Sequence, residues 1–324
     1  MNGMINFLKP AGMTSHDAVA FMRRLLGIKR VGHTGTLDPM AAGVLPICAG
    51  KATRVAEYLE TDGKKYRCEM RLGLVTDTQD IWGKAESFGF EPRSVTEQQI
   101  LDALCEFKGK ITQTPPRYSA VKLNGKKLYE YAREGKDVAV PPREVFVKSL
   151  ETVEINVKSG TVIFDVSCSK GTYVRTICHD VGAILGCGAA MSFLLRLESG
   201  VFSLENAMTA EELACAVEEG RIEACLIPPD QPLVALGEIN VDGRRAEKFA
   251  SGISVAWDSV SLAASPRPFG AFEEEARANV NKFRNYYKVY RSDIGSEGIS
   301  AGRIFLGIGR VEGGQLRADK VLCV

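Results

Sequence analysis

The sequence predicts an α+β fold whose sheet is mixed and largely antiparallel. Apolar and polar residues alternate along residues 66–72 and 162–168, as they do in half-buried β-strands. Val19, Met22 and Leu26 instead recur at the spacing of one face of a helix. Because strands and helices follow no regular strand–helix–strand order, a doubly wound parallel sheet is disfavoured.

Two helices are predicted near the N-terminus. Thr14 or Ser15 can cap the start of the first helix, and Gly27 can end it. The second helix is predicted from four apolar residues at helical spacing, which are Ala52, Val55, Ala56 and Leu59.

Further helices are predicted from capping residues and from a glycine. Two pairs form capping boxes, in which each side chain can bond a free backbone amide of the first turn: Thr96 with Gln99, and Thr209 with Glu212. Gly171 allows a turn into a helix whose apolar positions are Ile177, Val181 and Ile184.

A domain boundary is predicted at the proline-rich segment 227–232. It divides the chain into residues 1–230 and a smaller β-rich part, residues 231–324. Within that part, a polar and proline-bearing stretch runs to about residue 280, and residues 255–300 give no clear assignment.

Composition excludes several classes of protein. The apolar fraction of 45% and the charged fraction of 25% are those of a globular chain. No stretch approaches the roughly 18 apolar residues of a membrane span, and no signal sequence is recognisable, so we expect a cytoplasmic protein without membrane contact. Nine cysteines without a Cys-x-x-Cys pair predict buried free thiols, and three scattered histidines disfavour a metal site.

Charge is unevenly distributed, although the net charge is only +1. Residues 21–54 contain six basic side chains and one acid, and residues 108–136 contain eight basic side chains and two acids. Residues 205–230 carry seven acids and one arginine. The basic stretches are suited to a polyanion such as RNA, while solvated surface is the commoner meaning of any one charged run.

The segment 32–39, with the sequence GHTGTLDP, is the densest local signal. Its glycines and proline require sharp turns of the backbone. Asp38 is the one acid of its basic stretch, and neighbouring cations favour its ionised form, which suits a nucleophile or a base. By spacing alone, Asp38-Pro39 is more typical of a helix start, with the aspartate as the cap.

Several blocks of sequence, in order along the chain, resemble the TruB family of tRNA pseudouridine synthases. They are residues 9–17 (KPAGMTSHD), 32–39, 65–80, 113–122 (QTPPRYSAVK), 129–135 and 169–176 (SKGTYVRT), within about residues 4–202. The resemblance implies a catalytic domain of pseudouridine synthase type in residues 1–230. Residues 307–309 and 316–321 are less closely similar to the family's PUA-type RNA-binding domain, which implies a PUA-like domain in residues 231–324.

The resemblance implies an isomerase that flips the T-loop uridine of tRNA, U55, out of the RNA and converts it to pseudouridine. The reaction replaces a C–N glycosidic bond by a C–C bond, and it requires no cofactor and no metal. The implied partner is the T-arm of tRNA, and we expect a monomer.

Three residues match the family's catalytic positions. Asp38 matches the nucleophile, which attacks the sugar, attacks the base or assists glycal formation, and the sequence leaves these routes open. Arg175 matches the residue that pairs with this carboxylate and keeps it ionised. Tyr66, on the apolar face of its predicted strand, matches a tyrosine that stacks on the base and can move a proton.

Other positions match contacts to the RNA. Tyr173 and Leu194 match residues that line the base pocket, and His33 matches a side chain that fills the gap left by the flipped base. Cationic candidates for contact with the RNA backbone are Lys51, Arg54, Lys122 and Arg133, with Arg303, Arg310, Arg317 and Lys320 in the C-terminal part. Leu195 and Glu198 depart from the basic residues usual in the family, and Glu198 would repel phosphate.

Two other functions compete with this interpretation. An RNA-binding folding chaperone would open tRNA loops without chemistry, but it has no need of Asp38 together with Arg175. A guide-RNA-dependent subunit of a ribonucleoprotein is expected to carry a lysine-rich tail, whereas this sequence ends with Val321-Leu322-Cys323-Val324.

Overall fold

The computed structural model describes residues 1–59, 63–86, 94–265, 282–292 and 303–323. Much of the stretch 255–300 therefore lies outside the described residues. Within them, the α-helices are α1 (Ser15–Leu26), α2 (Ala56–Leu59), α3 (Glu97–Cys105), α4 (Leu128–Arg133), α5 (Val174–Ile184), α6 (Ala210–Glu218) and α7 (Gly243–Ala250). Short 3₁₀ segments cover Gly50–Val55, Leu204–Asn206, Ile222–Cys225 and Trp257–Ser259.

The strands of the N-terminal two thirds are β1 (Gly3–Lys9), β2 (Val31–His33), β3 (Ala42–Ala49), β4 (Lys64–Leu72), β5 (Val75–Thr76), β6 (Ala85–Glu86), β7 (Gly109–Gln113), β8 (Lys122–Leu123), β9 (Lys126–Lys127), β10 (Arg143–Asn156), β11 (Thr161–Cys168), β12 (Ala189–Ser199) and β13 (Phe202–Ser203). Those of the C-terminal part are β14 (Gly237–Val241), β15 (Val255–Ala256), β16 (Ser261–Ala264), β17 (Tyr286–Arg291), β18 (Ile304–Glu312) and β19 (Gln315–Val321). This composition confirms the predicted α+β class.

The chain forms two compact units. The first comprises Met1–Asp38, Gly43–Asp62 and Ser199–Val324, and the second comprises Pro39–Ala42 and Gly63–Glu198. Each unit therefore contains segments that are distant in sequence.

The first unit contains a small N-terminal sheet and a six-stranded C-terminal sheet. β3 pairs antiparallel with both β1 and β2. The C-terminal strands follow the order β15-β19-β18-β17-β14-β16, in which β14 and β17 are parallel. Helix α7 contributes Ala246 and Phe249 to the apolar core of this sheet.

One apolar cluster of the first unit joins residues from both sides of the proline-rich segment 227–232. Its N-terminal members are Met4, Val44, Cys48, Ala52, Val55, Tyr58 and Leu59, and its C-terminal members include Leu233, Leu236, Tyr290, Phe305, Ile308 and Leu322. Residues 231–324 thus share a hydrophobic core with the N-terminal segment.

The second unit is built on a sheet with the strand order β12-β4-β11-β10-β7. The pairs β4–β11, β10–β11 and β7–β10 are antiparallel, which confirms the predicted strand direction. On β11 the side chains Val162, Phe164, Val166 and Cys168 are all buried, as their alternation predicts. Helix α5 packs on β4 and α3.

Capping signals predicted the helix termini well. Thr14 caps α1, and Gly27 ends it in the left-handed conformation with φ 64°. The capping boxes at Thr96 and Thr209 are both formed. These confirmations share a cause, because every contact involved is local in sequence.

Three local predictions were confirmed only in part. The second helix is a 3₁₀ segment that leads into the four-residue α2, since Thr53 Oγ1 bonds Gly50 O at 2.9 Å and tightens the first turn. Ile184 is 49% exposed because the last turn of α5 packs through Gly182, where an added Cβ would overlap Ala189. Cys105, Cys215 and Cys323 are exposed, whereas most of the other thiols are buried.

Candidate active site

The Asp38 loop is attached to the start of α1. Ser15 Oγ accepts a hydrogen bond from Leu37 N at 2.9 Å and donates one to Leu37 O at 3.1 Å. The Ser15 side chain is buried, so both bonds are shielded from water. They hold Leu37, the residue immediately before Asp38. The Asp38 side chain itself is half-buried.

No helix starts at Asp38, contrary to the more common meaning of Asp38-Pro39. Residues 39–40 form a turn, and the chain then enters β3. Gly43, with φ 116°, has a backbone conformation that a helix cannot contain. Asp38 therefore lies in an irregular loop that connects β2 to β3.

A buried lysine shapes the turn that precedes α1. Lys9 is fully buried, and its ammonium group donates to Pro10 O at 2.8 Å and to Met13 O at 2.7 Å. These bonds compensate the loss of hydration and fix the turn that delivers Ser15. The sequence signal was the KPAGMTS block, but no charge pattern indicates that Lys9 is buried.

His33 is the last residue of β2 and is half-buried. Its ring lies 6.1 Å from the ring of His16, centroid to centroid, at an interplanar angle of 73°. Two residues later, Gly35 adopts φ 82°, which favours glycine and turns the chain into the Asp38 loop.

Tyr66 lies on β4 in the second unit, opposite Val166 of β11, and is half-buried. Two residues along the same face, Cys68 is fully buried, and its Sγ lies 3.5 Å from Sγ of Cys178 on α5. Burial raises the pKa of the Cys68 thiol, so its sulfur acts as an apolar packing atom. This contact fixes α5 against the strand that carries Tyr66.

Arg175 lies in the first turn of α5 and is buried. Its guanidinium donates to Thr78 O at 3.3 Å and to Tyr118 O at 2.8 Å. NH1 also lies 3.7 Å from Oδ2 of Asp80. A planar cation held at three points has little rotational freedom, which suits a positioning role.

Tyr173 precedes Arg175 and is held by the side chain of Gln113. Tyr173 N donates to Gln113 Oε1 at 3.0 Å, and Gln113 Nε2 donates to Tyr173 O at 3.1 Å. The Tyr173 ring lies 4.8 Å from Cζ of Arg143 and 5.5 Å from Cζ of Arg175. The structure thus brings together the predicted residues Tyr173 and Arg175, and it adds Gln113 and Asp80 as residues that orient them.

Leu194 is buried on β12. Burial is expected both for a residue of a pocket wall and for an ordinary core residue. Arg196, two residues later on the same strand, is buried as well, whereas Glu198 is exposed. This segment differs from the family pattern at Leu195 and Glu198, and its remaining basic residue, Arg196, therefore points into the protein.

The cations predicted to contact the RNA backbone have different environments. Lys51 Nζ donates to Cys323 O at 3.3 Å, and Arg54 NH1 donates to Val321 O at 2.7 Å. Lys122 is exposed, and Arg133 is exposed with its Cζ 5.3 Å from the ring of Tyr129. Among the described residues, neither Lys122 nor Arg133 forms an ion pair.

The part of the chain that the structure describes contains no cluster of three histidine, cysteine, aspartate or glutamate side chains suited to hold a metal ion. It also contains no helix long and apolar enough to span a membrane.

Comparisons with known proteins identify the family. Residues 23–174 match the family described as TruB family pseudouridylate synthase (N terminal domain), and residues 175–234 match the tRNA pseudouridylate synthase B C-terminal domain. The chain belongs to the TruB family of pseudouridine synthases, which are isomerases.

Similar proteins cover most of the chain. It is 48% identical to the tRNA pseudouridine synthase B of Alkaliphilus oremlandii over 78% of this chain and 82% of that protein. Identity to the enzyme of the same name from Symbiobacterium thermophilum is 47%, over 79% and 84% of the two chains. Among solved structures, one chain of a Cbf5-Nop10-Gar1 complex is similar, with a TM-score of 0.68, 26% identity, and coverage of 98% of this chain and 84% of that one.

Proposed function

We propose that this protein isomerises the T-loop uridine of tRNA, U55, to pseudouridine. The observation that carries the proposal is a family-typical loop ending in Asp38, held by two buried hydrogen bonds between Ser15 and the residue before Asp38. The name tRNA pseudouridine synthase B, shared by relatives at 48% and 47% identity, supports tRNA as the substrate.

In the proposed reaction the bond between N1 and C1′ breaks, the uracil rotates, and C5 bonds to C1′. C5 then loses its proton while N1 gains one, so that substrate and product are isomers. Asp38 provides the carboxylate that acts on the target nucleoside, and Arg175 keeps this carboxylate ionised. Tyr66 stacks on the base and moves the proton that leaves C5.

Access to the base requires that the uridine leave the folded loop of the RNA. We propose that the His33 side chain fills the gap that the flipped base leaves, and that Tyr173 and Leu194 form walls of the base pocket. Lys122 and Arg133 are suited to phosphate contact because both are exposed and lack ion pairs within the described ranges. Lys51 and Arg54 are assigned the same role, with part of their hydrogen-bonding capacity directed to the C-terminal backbone.

The proposed organisation is a catalytic domain, residues 1–230, followed by a PUA-like RNA-binding domain, residues 231–324. We further propose that the protein acts as a monomer in the cytoplasm, where the tRNA substrate is available.

The first test replaces Asp38 by Asn. Turnover of unmodified tRNA should fall by more than about 1,000-fold, because the carboxylate takes part in bond breaking, while tRNA affinity stays within a few-fold. Pseudouridine is mapped by chemical labelling in a reaction that contains only the protein and the tRNA. Asp102→Asn, an exposed change on α3, is the matched control and should retain full activity. Residual activity of Asp38→Asn near that of the control, or a requirement for a guide RNA, would contradict the proposal.

The second test separates positioning from folding at the start of α1. Ser15→Ala removes both bonds to Leu37 and should lower kcat by about 10- to 100-fold with KM little changed, because small displacements of a catalytic group are costly. Thr14→Ala removes the cap of the same helix but not the bonds to Leu37, so it should cost about 1 kcal/mol of stability and retain kcat. Equal kcat values for the two variants would refute the positioning role.

A further inference from the structure

The turn that links β5 to β6, residues 77–84, is tightly hydrogen-bonded. Thr76 Oγ1 donates to Asp80 O at 2.7 Å, and Thr78 Oγ1 donates to Asp80 Oδ1 at 2.8 Å. Lys84 N donates to Asp77 Oδ1 at 2.8 Å. This network leaves the turn few alternative conformations.

Glycine is required near the end of the turn. A Cβ at Gly83 would overlap Thr78 Oγ1, so the backbone of the turn passes directly over that hydroxyl group. Trp82, the preceding residue, is fixed by the bond from its backbone N to Asp80 Oδ1 at 3.0 Å.

This rigid turn exposes large apolar side chains. Trp82 is 58% exposed and Ile81 is 45% exposed. Ile81 N donates to Met191 O at 3.0 Å, which places Ile81 alongside β12, where Phe193 is 42% exposed. A tryptophan at this exposure leaves much of an indole face in water, although burial of an indole ring is more favourable in free energy than burial of most side chains.

The same turn is bonded to Arg175, the residue that we propose keeps the Asp38 carboxylate ionised. Asp80 directs Oδ1 to the turn, and its Oδ2 lies 3.7 Å from NH1 of Arg175. Tyr118 makes a second link, since its carbonyl accepts from Arg175 and its hydroxyl lies 3.5 Å from Oδ2 of Asp77. Trp82 is therefore held at a defined position relative to Arg175.

We propose that Trp82 stacks on an unpaired base of the substrate RNA, next to the nucleotide that is flipped. This inference rests on the proposed function. Flipping one nucleotide separates its neighbours from their stacking partners, and an exposed indole offers a replacement face to any base. A protein partner is disfavoured because three partly exposed side chains fall well short of the roughly 1,000 Å² of a specific protein interface.

The chain offers a direct spectroscopic test because it contains two tryptophans, Trp82 and Trp257. Trp257 packs against Tyr287 in the first unit, with ring centroids 5.3 Å apart. In the full-length Trp257→Phe variant, Trp82 is the sole indole emitter. Titration with an unmodified T-arm stem-loop should quench its fluorescence, and the quench should disappear when one particular loop nucleotide is made abasic.

Binding measurements provide the quantitative test. Trp82→Ala should weaken stem-loop affinity by about 5- to 100-fold, the range expected for loss of one base–aromatic stack, while the single-turnover rate at saturation is retained. Trp82→Phe should recover most of the affinity, and Ile184→Ala, another exposed apolar residue of the second unit, should bind like the wild type.

The results separate this inference from the proposed function. Unchanged Trp82 emission during binding, or a quench that survives every abasic substitution, would overturn the inference while isomerisation of tRNA by the wild type still stands. If the wild type fails to isomerise tRNA, the proposed function fails, whatever Trp82 reports. Should Trp82→Ala fold poorly, the fluorescence of the folded Trp257→Phe variant still decides.

Discussion

The basic residues of the C-terminal sheet and those of the segment 122–133 differ in what they contact. In the C-terminal sheet, Lys288 and Arg303 each lie 2.9 Å from a carboxylate oxygen of Glu238. Other cations of this sheet also lie against acids: Arg310 and Arg317 against Glu312, and Lys320 against Glu57. The sheet is basic in sequence but largely neutralised in the fold.

The segment 122–133 is different because aromatic rings replace acids as neighbours of several cations. Lys127 Nζ and Arg133 Cζ lie 5.4 and 5.3 Å from the ring of Tyr129. Lys122 is exposed and without an ion pair in the described part of the chain. A cation on a ring keeps its charge available to phosphate, so we expect pairing with acids, rather than the number of cations, to decide where RNA binds.

The largest effect is expected from removing the C-terminal sheet. A chain that ends at Asp230 loses Leu233, Leu236, Phe305 and Ile308 from the shared cluster, so the first unit should lose its cooperative thermal unfolding. Each lost side chain costs about 1.5–3 kcal/mol of burial, and together they approach the total stability of a typical domain. Circular dichroism with temperature checks this, and a truncated chain that melts like the full one would show that the sheet is independent.

A smaller effect is expected from the double variant Lys122→Ala/Arg133→Ala. Each lost phosphate contact lowers the slope of log affinity against log salt by about 0.7 to 0.9, so the slope should fall by about twice that amount. Filter binding across a salt series measures it. Arg310→Ala/Arg317→Ala removes the same charge from the neutralised sheet and should leave the slope nearly unchanged. Equal slopes for the two double variants would remove the distinction between the regions.

The smallest effect is expected on stability, from Glu238→Gln. Burial of the Glu238 carboxyl raises its pKa, but the hydrogen bonds and charges of Lys288 and Arg303 outweigh burial and leave the pKa below its ordinary value. The change leaves the buried Lys288 without its carboxylate and should cost about 1 to 3 kcal/mol, less than for a fully buried pair because Glu238 remains partly exposed.

The pH dependence of this stability has a defined sign. An acid whose pKa is lowered on folding stabilises the fold above its unfolded pKa of about 4.3, and this contribution is lost as the pH falls through the folded pKa. Denaturant unfolding at pH 7 and below pH 4 should therefore show a difference between wild type and Glu238→Gln that shrinks in acid. A difference that grows in acid would mean that Glu238 is not ionised in the folded protein.

The sequence predicted those features whose causes are local. Alternation predicted β11, and the side chains of Thr14, Thr96 and Thr209 predicted three helix starts. The Asp38 loop was recognised by its motif. Its attachment to Ser15 was not recognised, because Ser15 and its partner Leu37 are 22 residues apart.

Features that depend on tertiary neighbours escaped prediction. The burial of Lys9, the role of Asp80 beside Arg175, and the pairing of Arg317 with Glu312 are contacts that composition and periodicity do not encode. Charge counts placed Arg303, Arg310, Arg317 and Lys320 among the candidates for phosphate contact. The fold instead places each of them against a carboxylate.

The buried thiols allow the opening motions of the two units to be timed separately. Burial raises the pKa of Cys48 to about 12, so this thiol of the first unit can be alkylated only when the surrounding structure opens. The second unit holds its own buried thiols, which are Cys68, Cys168, Cys178 and Cys187. The rate of alkylation by iodoacetamide can be followed for each cysteine peptide with mass spectrometry. Comparison of these rates would show whether the two units open together or separately, with exposed Cys105 as the reference for unhindered reaction.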